Sequence, residues 1–410
     1  MSMVSSNWPI LRIGDLGDVF TGRTPPTEQS SYFGKDYPFI TPGDMHQGMY
    51  ARKTQRSLSH EGAELLKRIK LPANSICVSC IGWQMGEVVM TDRPSFSNQQ
   101  INTIVPNSKV EASFLYYSLR TRKQELLSLG AATGVRTPIL NKSAFCSTKV
   151  VVPPLPIQQR IVGILSAYDE LIENSQRRIK ILEMMARTLY REWFVHFRFP
   201  GHEHHPRVAS SLGEIPQGWE VKKLGDLITY KRRATKPGAD LEVRRYVPID
   251  CLPPKSLALL EARPIEEAQS SLQLFEKGDI LFGAMRPYFH KVVVAPFAGV
   301  TRTTCFVFKP VRPEWHSFAT MTVFDEATVA FANAHSQGAT IPYAVWDGSL
   351  SEMQLVLPST EVLQRFEAIV APMLSRLSQS FFTLGNLRRT RDLVLPRLLS
   401  GQINLMDTNA

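Results

Sequence analysis

Read in sevens, residues 158–193 place Ile161, Leu165, Tyr168, Ile172, Ser175, Ile179, Leu182, Ala186, Leu189 and Trp193 at steps alternating between four and three. That spacing is the seam of a long helix packed on another helix. Adding 205 to each number gives Phe366, Val370, Met373, Leu377, Ser380, Leu384, Leu387, Arg391, Val394 and Leu398. The apolar seam persists nearly throughout, and a serine falls at the same step in both. Two matched helices half a chain apart predict a pair. About 36 residues at about 1.5 Å each make a rod of roughly 54 Å, and neither rod can bury its stripe on itself. Antiparallel pairing within the chain puts the globular parts at opposite ends; parallel pairing would need the second globular part to travel back along the rod. Pro372 and Pro396 predict a kink or weak turn in the second helix. Arg391 on the seam either fixes register at some cost in stability or snorkels off it.

The pattern ahead of each helix is duplicated as well. Trp8 is followed after five residues by Gly14-Asp15-Leu16, and Trp219 at the same distance by Gly225-Asp226-Leu227. A helical turn and a loop follow, then strand-like segments at 37–40 and 246–249. Short runs rich in Val and Ile, broken by Gly and Pro, predict strands and turns at 75–81 and 87–90, and again at 278–282 and 291–294. Residues 96–106 and 300–310 each predict one more strand. A short helix is expected at 112–128 and about 314–334, then a glycine-threonine loop ending in proline, 130–138 and 338–342. A last strand enters a proline at 150–153 and 354–358, and the long helices begin with Gln159-Arg160 and Gln364-Arg365 in register. The expected fold class is α+β: two tandem α/β, β-rich globular domains, each followed by a long helix, the two helices forming an antiparallel coiled coil. The expected boundaries are 1–153 for the first domain, 154–198 for the first helix and 199–215 for a linker. The second domain spans 216–358, the second helix 359–402 and a tail 403–410.

At 410 residues the chain is long enough for two or more domains. No run of 18 apolar residues is present, so no membrane span is expected. The first nine residues lack a basic start followed by an apolar stretch, which leaves the cytoplasm as the expected compartment. Five widely spaced cysteines argue against a disulfide framework. Cys77 and Cys80 form a CxxC that reads either as half a zinc site or, within 76–81, as part of a buried strand; the second reading is adopted and no metal is expected. The net charge is +10, of which residues 1–150 carry +6 (17 Lys and Arg against 11 Asp and Glu). A basic excess raises nucleic acid as a partner.

Pro-Pro-Leu-Pro-Ile-Gln-Gln-Arg-Ile (153–161) leads into one helix, and Leu-Pro-Arg-Leu-Leu-Ser-Gly-Gln-Ile (395–403) leaves the other. With the Trp-x5-Gly-Asp-Leu starts and Glu-Trp-Phe (192–194), the whole chain resembles the specificity subunit of type I restriction-modification systems. The start of the second helix, Pro-Ser-Thr-Glu-Val-Leu-Gln-Arg-Phe (358–366), departs from the fuller proline pattern. The resemblance implies that each globular domain is a target-recognition domain reading one half of a bipartite duplex DNA sequence. It implies that the helices set the spacer between halves and dock two methyltransferase subunits, and that restriction-translocase subunits join the assembly. It also implies that this chain performs no catalysis and binds no cofactor, S-adenosylmethionine and ATP being expected on the partner subunits.

The residues themselves are consistent with that. A methyltransferase needs a Gly-rich turn for the methyl donor and an Asn/Asp-Pro-Pro-aromatic loop for the flipped base, and neither is found. There is no Gly-Lys-Ser/Thr phosphate loop. His202-Glu203-His204-His205 is either a metal ligand set or a solvated linker, and the linker reading is preferred. Two other readings stay open: a self-contained DNA methyltransferase or nuclease with degenerate motifs, and a coiled-coil structural adaptor.

DNA binding needs Lys and Arg on phosphates and side chains at base edges. Three recurring loops carry them. The first holds Arg23, Thr24 and Lys35 in one copy and Lys231, Arg232, Arg233 and Lys236 in the other, where a solvated charge run is the alternative. The second holds Gln84 against Arg286, Tyr288 and Lys291. Just beyond it lie Asn98 and Gln99, suited to adenine, against Arg302, suited to guanine, and Thr303, with strand-edge hydrogen bonding as the alternative. The third holds Arg136, Thr137 and Lys142, against residues 337–343. Trp83 and Trp346 read as core rather than base-stacking residues.

Overall fold

In each half the chain begins and ends its globular part on one edge. The structure, a computed structural model, describes residues 8–403 and 405 apart from 47, 84, 132–136, 231, 239, 240, 242, 243 and 270. Two compact units form: Met1–Asp169 with Arg389–Ala410, and Glu170–Arg388.

In unit 1, Ile10–Arg12 pairs antiparallel with Lys149–Val151, so the chain leaves for its helix beside the place where it entered. A four-stranded antiparallel sheet follows the order Gly17–Thr21, Ile101–Pro106, Ile76–Ser79, Val88–Met90. A second sheet joins Arg56–Leu58, Phe33–Ile40 and Phe96–Ser97, the last pair parallel. Unit 2 repeats this plan. Glu220–Lys223 pairs with Gln354–Leu357, and the four-stranded order is Ile228–Tyr230, Cys305–Pro310, Ile280–Gly283, Val292–Val294. Its second sheet again holds one parallel pair, Arg245–Tyr246 with Gly299–Arg302.

The repeated Gly-Asp-Leu has a structural role in both units. A Cβ on Gly14 would sit 3.3 Å from Cys146 Cβ, and one on Gly225 would sit 3.2 Å from the Ser351 carbonyl. The aspartate closes the turn, its carboxylate accepting from Arg12 N–H at 3.1 Å in one copy and from Lys223 N–H at 2.9 Å in the other. Leu16 and Leu227 are core.

The long helices are Leu155–Tyr190 and Thr360–Leu399. Every one of the twenty seam positions is buried or half-buried. In unit 1 the pairing is antiparallel: Asp169 meets Arg391, while Arg160, nine residues earlier, reaches the carbonyl of Leu405. Arg391 does not snorkel. Its side chain is 10% exposed and lies 2.6 Å from Asp169. In unit 2 the first helix widens into a π-type turn, Arg191–Val195, which buries the consecutive Trp193 and Phe194 against Phe366 near the start of the second helix. Gln158 ties the first helix to its domain: fully buried, it accepts from Glu111 N–H and donates to the Pro153 carbonyl.

The second helix is continuous through Pro372 and Pro396; each removes one N–H, but both lie on exposed positions, where water can satisfy the freed carbonyls. Three local expectations are corrected. The single helices at 112–128 and 314–334 are each two, Ala112–Arg120 with Lys123–Ala131 and His316–Phe324 with Glu326–Ala334. In the second case Asp325 is extended and caps the following helix. Segments 96–106 and 300–310 are two strands each, because the chain crosses from one sheet to the other at 98–100 and 303–304. The expected linker contains a hairpin, Arg207–Ser210 with Gly213–Pro216, turned by Gly213 at φ +94°. Among the described residues no helix is long and apolar enough to cross a membrane.

Candidate nucleic-acid interface

In each unit the three loops singled out from sequence are tied together by the same backbone hydrogen bonds, 204 residues apart. Cys80 N–H donates to the Gln100 carbonyl at 2.8 Å, and Ala284 N–H to that of Thr304 at 2.9 Å. Gly82 N–H donates to Pro138 at 2.9 Å, and Arg286 N–H to Pro342 at 2.7 Å. Leu140 N–H donates to Cys80, and Ala344 N–H to Ala284. Each set joins the turn after the second core strand to the crossing between sheets and to the proline-ended loop. The first loop joins them too: Arg23 N–H donates to the Ser97 carbonyl, and Thr24 Oγ1 to Gln99 Oε1 at 2.7 Å. In unit 2, Ala234 pairs with Gln273 and Leu272 with Arg302, so the first loop lies one strand from the crossing.

The turn needs left-handed backbone at two places. Unit 1 supplies Gly82 (φ +90°) and Gly86 (φ +86°); unit 2 holds Arg286 (φ +53°) and His290 (φ +52°) at the same positions. A non-glycine residue at positive φ carries strain, and such strain clusters at functional loops. His290 is buried, and its Nε2–H donates to the Phe324 carbonyl at 2.8 Å. Burial holds its imidazole below the ordinary 6.5. As pH falls, the unfolded chain therefore takes the proton first. Stability from neutral His290 is full above pH 6.5 and is lost as pH drops below it. A His290→Asn chain, whose side chain tolerates left-handed backbone, should show a flatter fall of unfolding temperature between pH 7 and pH 5 than the parent; equal slopes would contradict this.

The structure sorts the candidate side chains. Arg23, Asn98, Gln99, Thr24 and Thr137 sit on the joined loops of unit 1, and Lys142 begins the short helix just after Leu140. Lys35 does not join them: it lies in the irregular part of strand Phe33–Ile40, five residues or about 16 Å from Ile40 along the strand. In unit 2, Arg232, Arg286 and Arg302 are exposed and Tyr288 is 49% exposed. Thr303 is held by Ser271, and its carbonyl accepts from Tyr343. Arg233 shares Glu276 with Arg244, at 3.7 and 3.4 Å, and is partly neutralised. Lys291 is half-buried and donates to the Ile249 carbonyl at 2.9 Å, which makes it a brace. Gln84, Arg136 and Lys231 lie outside the described residues.

Residues 5–184 match the family model described as type I restriction modification DNA specificity domain. The type I restriction enzyme MjaIX specificity subunit of Methanocaldococcus jannaschii is 23% identical over 98% of this chain and 95% of its own length. Residues 5–184 thus resemble a type I restriction modification DNA specificity domain, and the chain is similar over nearly its whole length to a type I specificity subunit. The HindI specificity subunit of Haemophilus influenzae is 34% identical over 44% of this chain and 40% of its own. The fold is similar to a crystal structure of a type I system S subunit from M. genitalium, with a TM-score of 0.61 at 16% identity over 96% of each chain.

One aromatic reading is reversed. Trp346 is core, but Trp83 is 69% exposed, because the chain turns outward at Gly82. The matching turn of unit 2 exposes Tyr288 and also Phe289, at 45%, which the sequence reading passed over. The CxxC lies in the core: Cys77 is fully buried and burial pushes its thiol up to about 12, with Cys80 at about 11. Among the described residues no group of three or more His, Cys, Asp or Glu is placed to hold a metal ion. His202 and His205 bond instead to the carbonyls of Phe199 and Gln217.

Proposed function

We propose that each unit reads one half of a bipartite duplex DNA target, that the paired helices set the spacing between halves, and that the chain serves as the specificity component of a methyltransferase and restriction assembly. The observation that carries this is the loop cluster built twice from the same hydrogen bonds but with different polar side chains. One scaffold with two readouts suits a split target. The likeness to named specificity subunits supports it. Under this reading two methyltransferase subunits dock on the helices and restriction-translocase subunits join them. S-adenosylmethionine and ATP are bound by those partners, and the chain catalyses nothing alone, in the cytoplasm.

Methylation mapping of host DNA with and without this chain should show a split motif that disappears when the chain is removed; an unchanged methylation map would refute the reading. Saturable S-adenosylmethionine binding by the purified chain would refute the division of labour. Trp83→Ala should leave the unfolding temperature within about 1 °C, since surface changes cost under about 0.5 kcal/mol. It should weaken DNA binding by the assembly by roughly 5- to 100-fold, the range for losing one well-placed contact to base edges in a groove. Unchanged affinity would remove Trp83 from the interface.

A further inference from the structure

We propose that Arg302 reads a guanine in the half-site bound by unit 2, a reading that rests on the function proposed above. The duplication locates the site. Because Gln100 and Thr304 accept the same hydrogen bond, from Cys80 and Ala284, position 302 in unit 2 corresponds to position 98 in unit 1. Unit 1 has Asn98 there. Its amide is engaged locally, Nδ2 donating to Gln100 Oε1 and Oδ1 accepting from Gln100 N–H, both at 3.1 Å. Unit 2 has an arginine in an exposed position.

Three observations favour Arg302 for this role, the second of them over Arg233, Arg244 and Arg263. Its backbone is held on both sides: it pairs with Leu272, its carbonyl accepts from Gln273 Nε2 at 3.3 Å, and the next residue, Thr303, donates to Ser271. A base reader needs such a fixed start, because its fork must meet two acceptors at once. Among the described residues no carboxylate pairs with it, whereas Glu276 holds Arg233 and Arg244, and Glu267 holds Arg263. It also stands beside the strained turn at Arg286, since Ala284 and Met285 both donate to the Thr304 carbonyl. An unpaired guanidinium on a rigid backbone suits the two major-groove acceptors of guanine, O6 and N7. A phosphate contact would need only the charge.

Lysine keeps the charge and loses the planar fork, so Arg302→Lys tests the difference. The full chain would be assembled with its methyltransferase subunits and offered duplexes with one half of the target randomised at a time. The expected result is loss of about 5- to 150-fold preference for guanine at one position of one half, with the other half and the salt dependence unchanged. An Arg302→Lys assembly that keeps every preference of the parent overturns the inference and leaves the proposed function standing. Weakening on all sequences alike by Arg302→Ala, with Arg302→Lys behaving as the parent, also overturns it and makes Arg302 a phosphate contact. A parent assembly with no preference at any position overturns the proposed function, and this inference with it.

Discussion

Asp169→Leu is expected to cost unit 1 roughly 3 kcal/mol. Both carboxylate oxygens are in use: Oδ1 takes Arg391 Nη1 at 2.6 Å and Oδ2 takes the Tyr117 hydroxyl at 2.8 Å. The pair is largely out of water, with 19% of the Asp169 side chain and 10% of the Arg391 side chain exposed. Burial opposes the charge on Arg391, and the hydrogen bond and attraction of Asp169 override it, so its pKa is raised. Removing the aspartate leaves a buried cation and an unpaired phenol. Breaking a buried pair costs about 3–5 kcal/mol; the lower end applies because Asp392, itself 62% exposed, stays 2.9 Å away. The charge is the cause, so Asp169→Leu with Arg391→Met should recover most of the loss. Urea unfolding of the two variants checks this. A harmless single substitution, or a double as unstable as the single, would contradict it.

Phe366→Ala is expected to cost unit 2 about 3–5 kcal/mol, the range for a large aromatic deleted from a close-packed core. Phe366 is 0% exposed. Its ring lies 4.8 Å from Phe194, 5.8 Å from Trp193 and 6.4 Å from Tyr190. Phe194 in turn packs on Phe318 at 4.8 Å and on Trp219 at 6.0 Å. The cavity would open where both long helices and the globular core meet. Phe366→Leu, which keeps most of the volume, should cost under half as much. A Phe366→Ala chain with an unfolding midpoint equal to the parent's would contradict the packing.

These two sites also mark where local pattern stops informing. The seam was legible because a period of three and four is written within one helix, and its copy 205 residues on made chance unlikely to supply both. The first and last strands, the Gly-Asp-Leu turns and the three loops were legible for the same reason, through turn chemistry and duplication. Asp169 could not be read as the partner of Arg391 across 222 residues, since nothing local links them. The two strands within 96–106 read as one run, because both are apolar and only the sheet they join differs. Trp83 read as core because its bulk is visible in sequence and the outward turn at Gly82 is not. Among the basic residues, composition could not separate Arg302 from Arg233, whose charge Glu276 partly cancels. Charge is local, but ion pairing belongs to the tertiary structure.

The central claim is that one chain carries two separate readings. The most direct test is to replace residues 1–150 with the matching domain of one of the similar specificity subunits and map the methylated sequence in a host that supplies the proposed partner subunits. The account predicts that one half of the motif changes, while the other half and the spacing between them stay as they were. A motif that changes in both halves, or in neither, would contradict it.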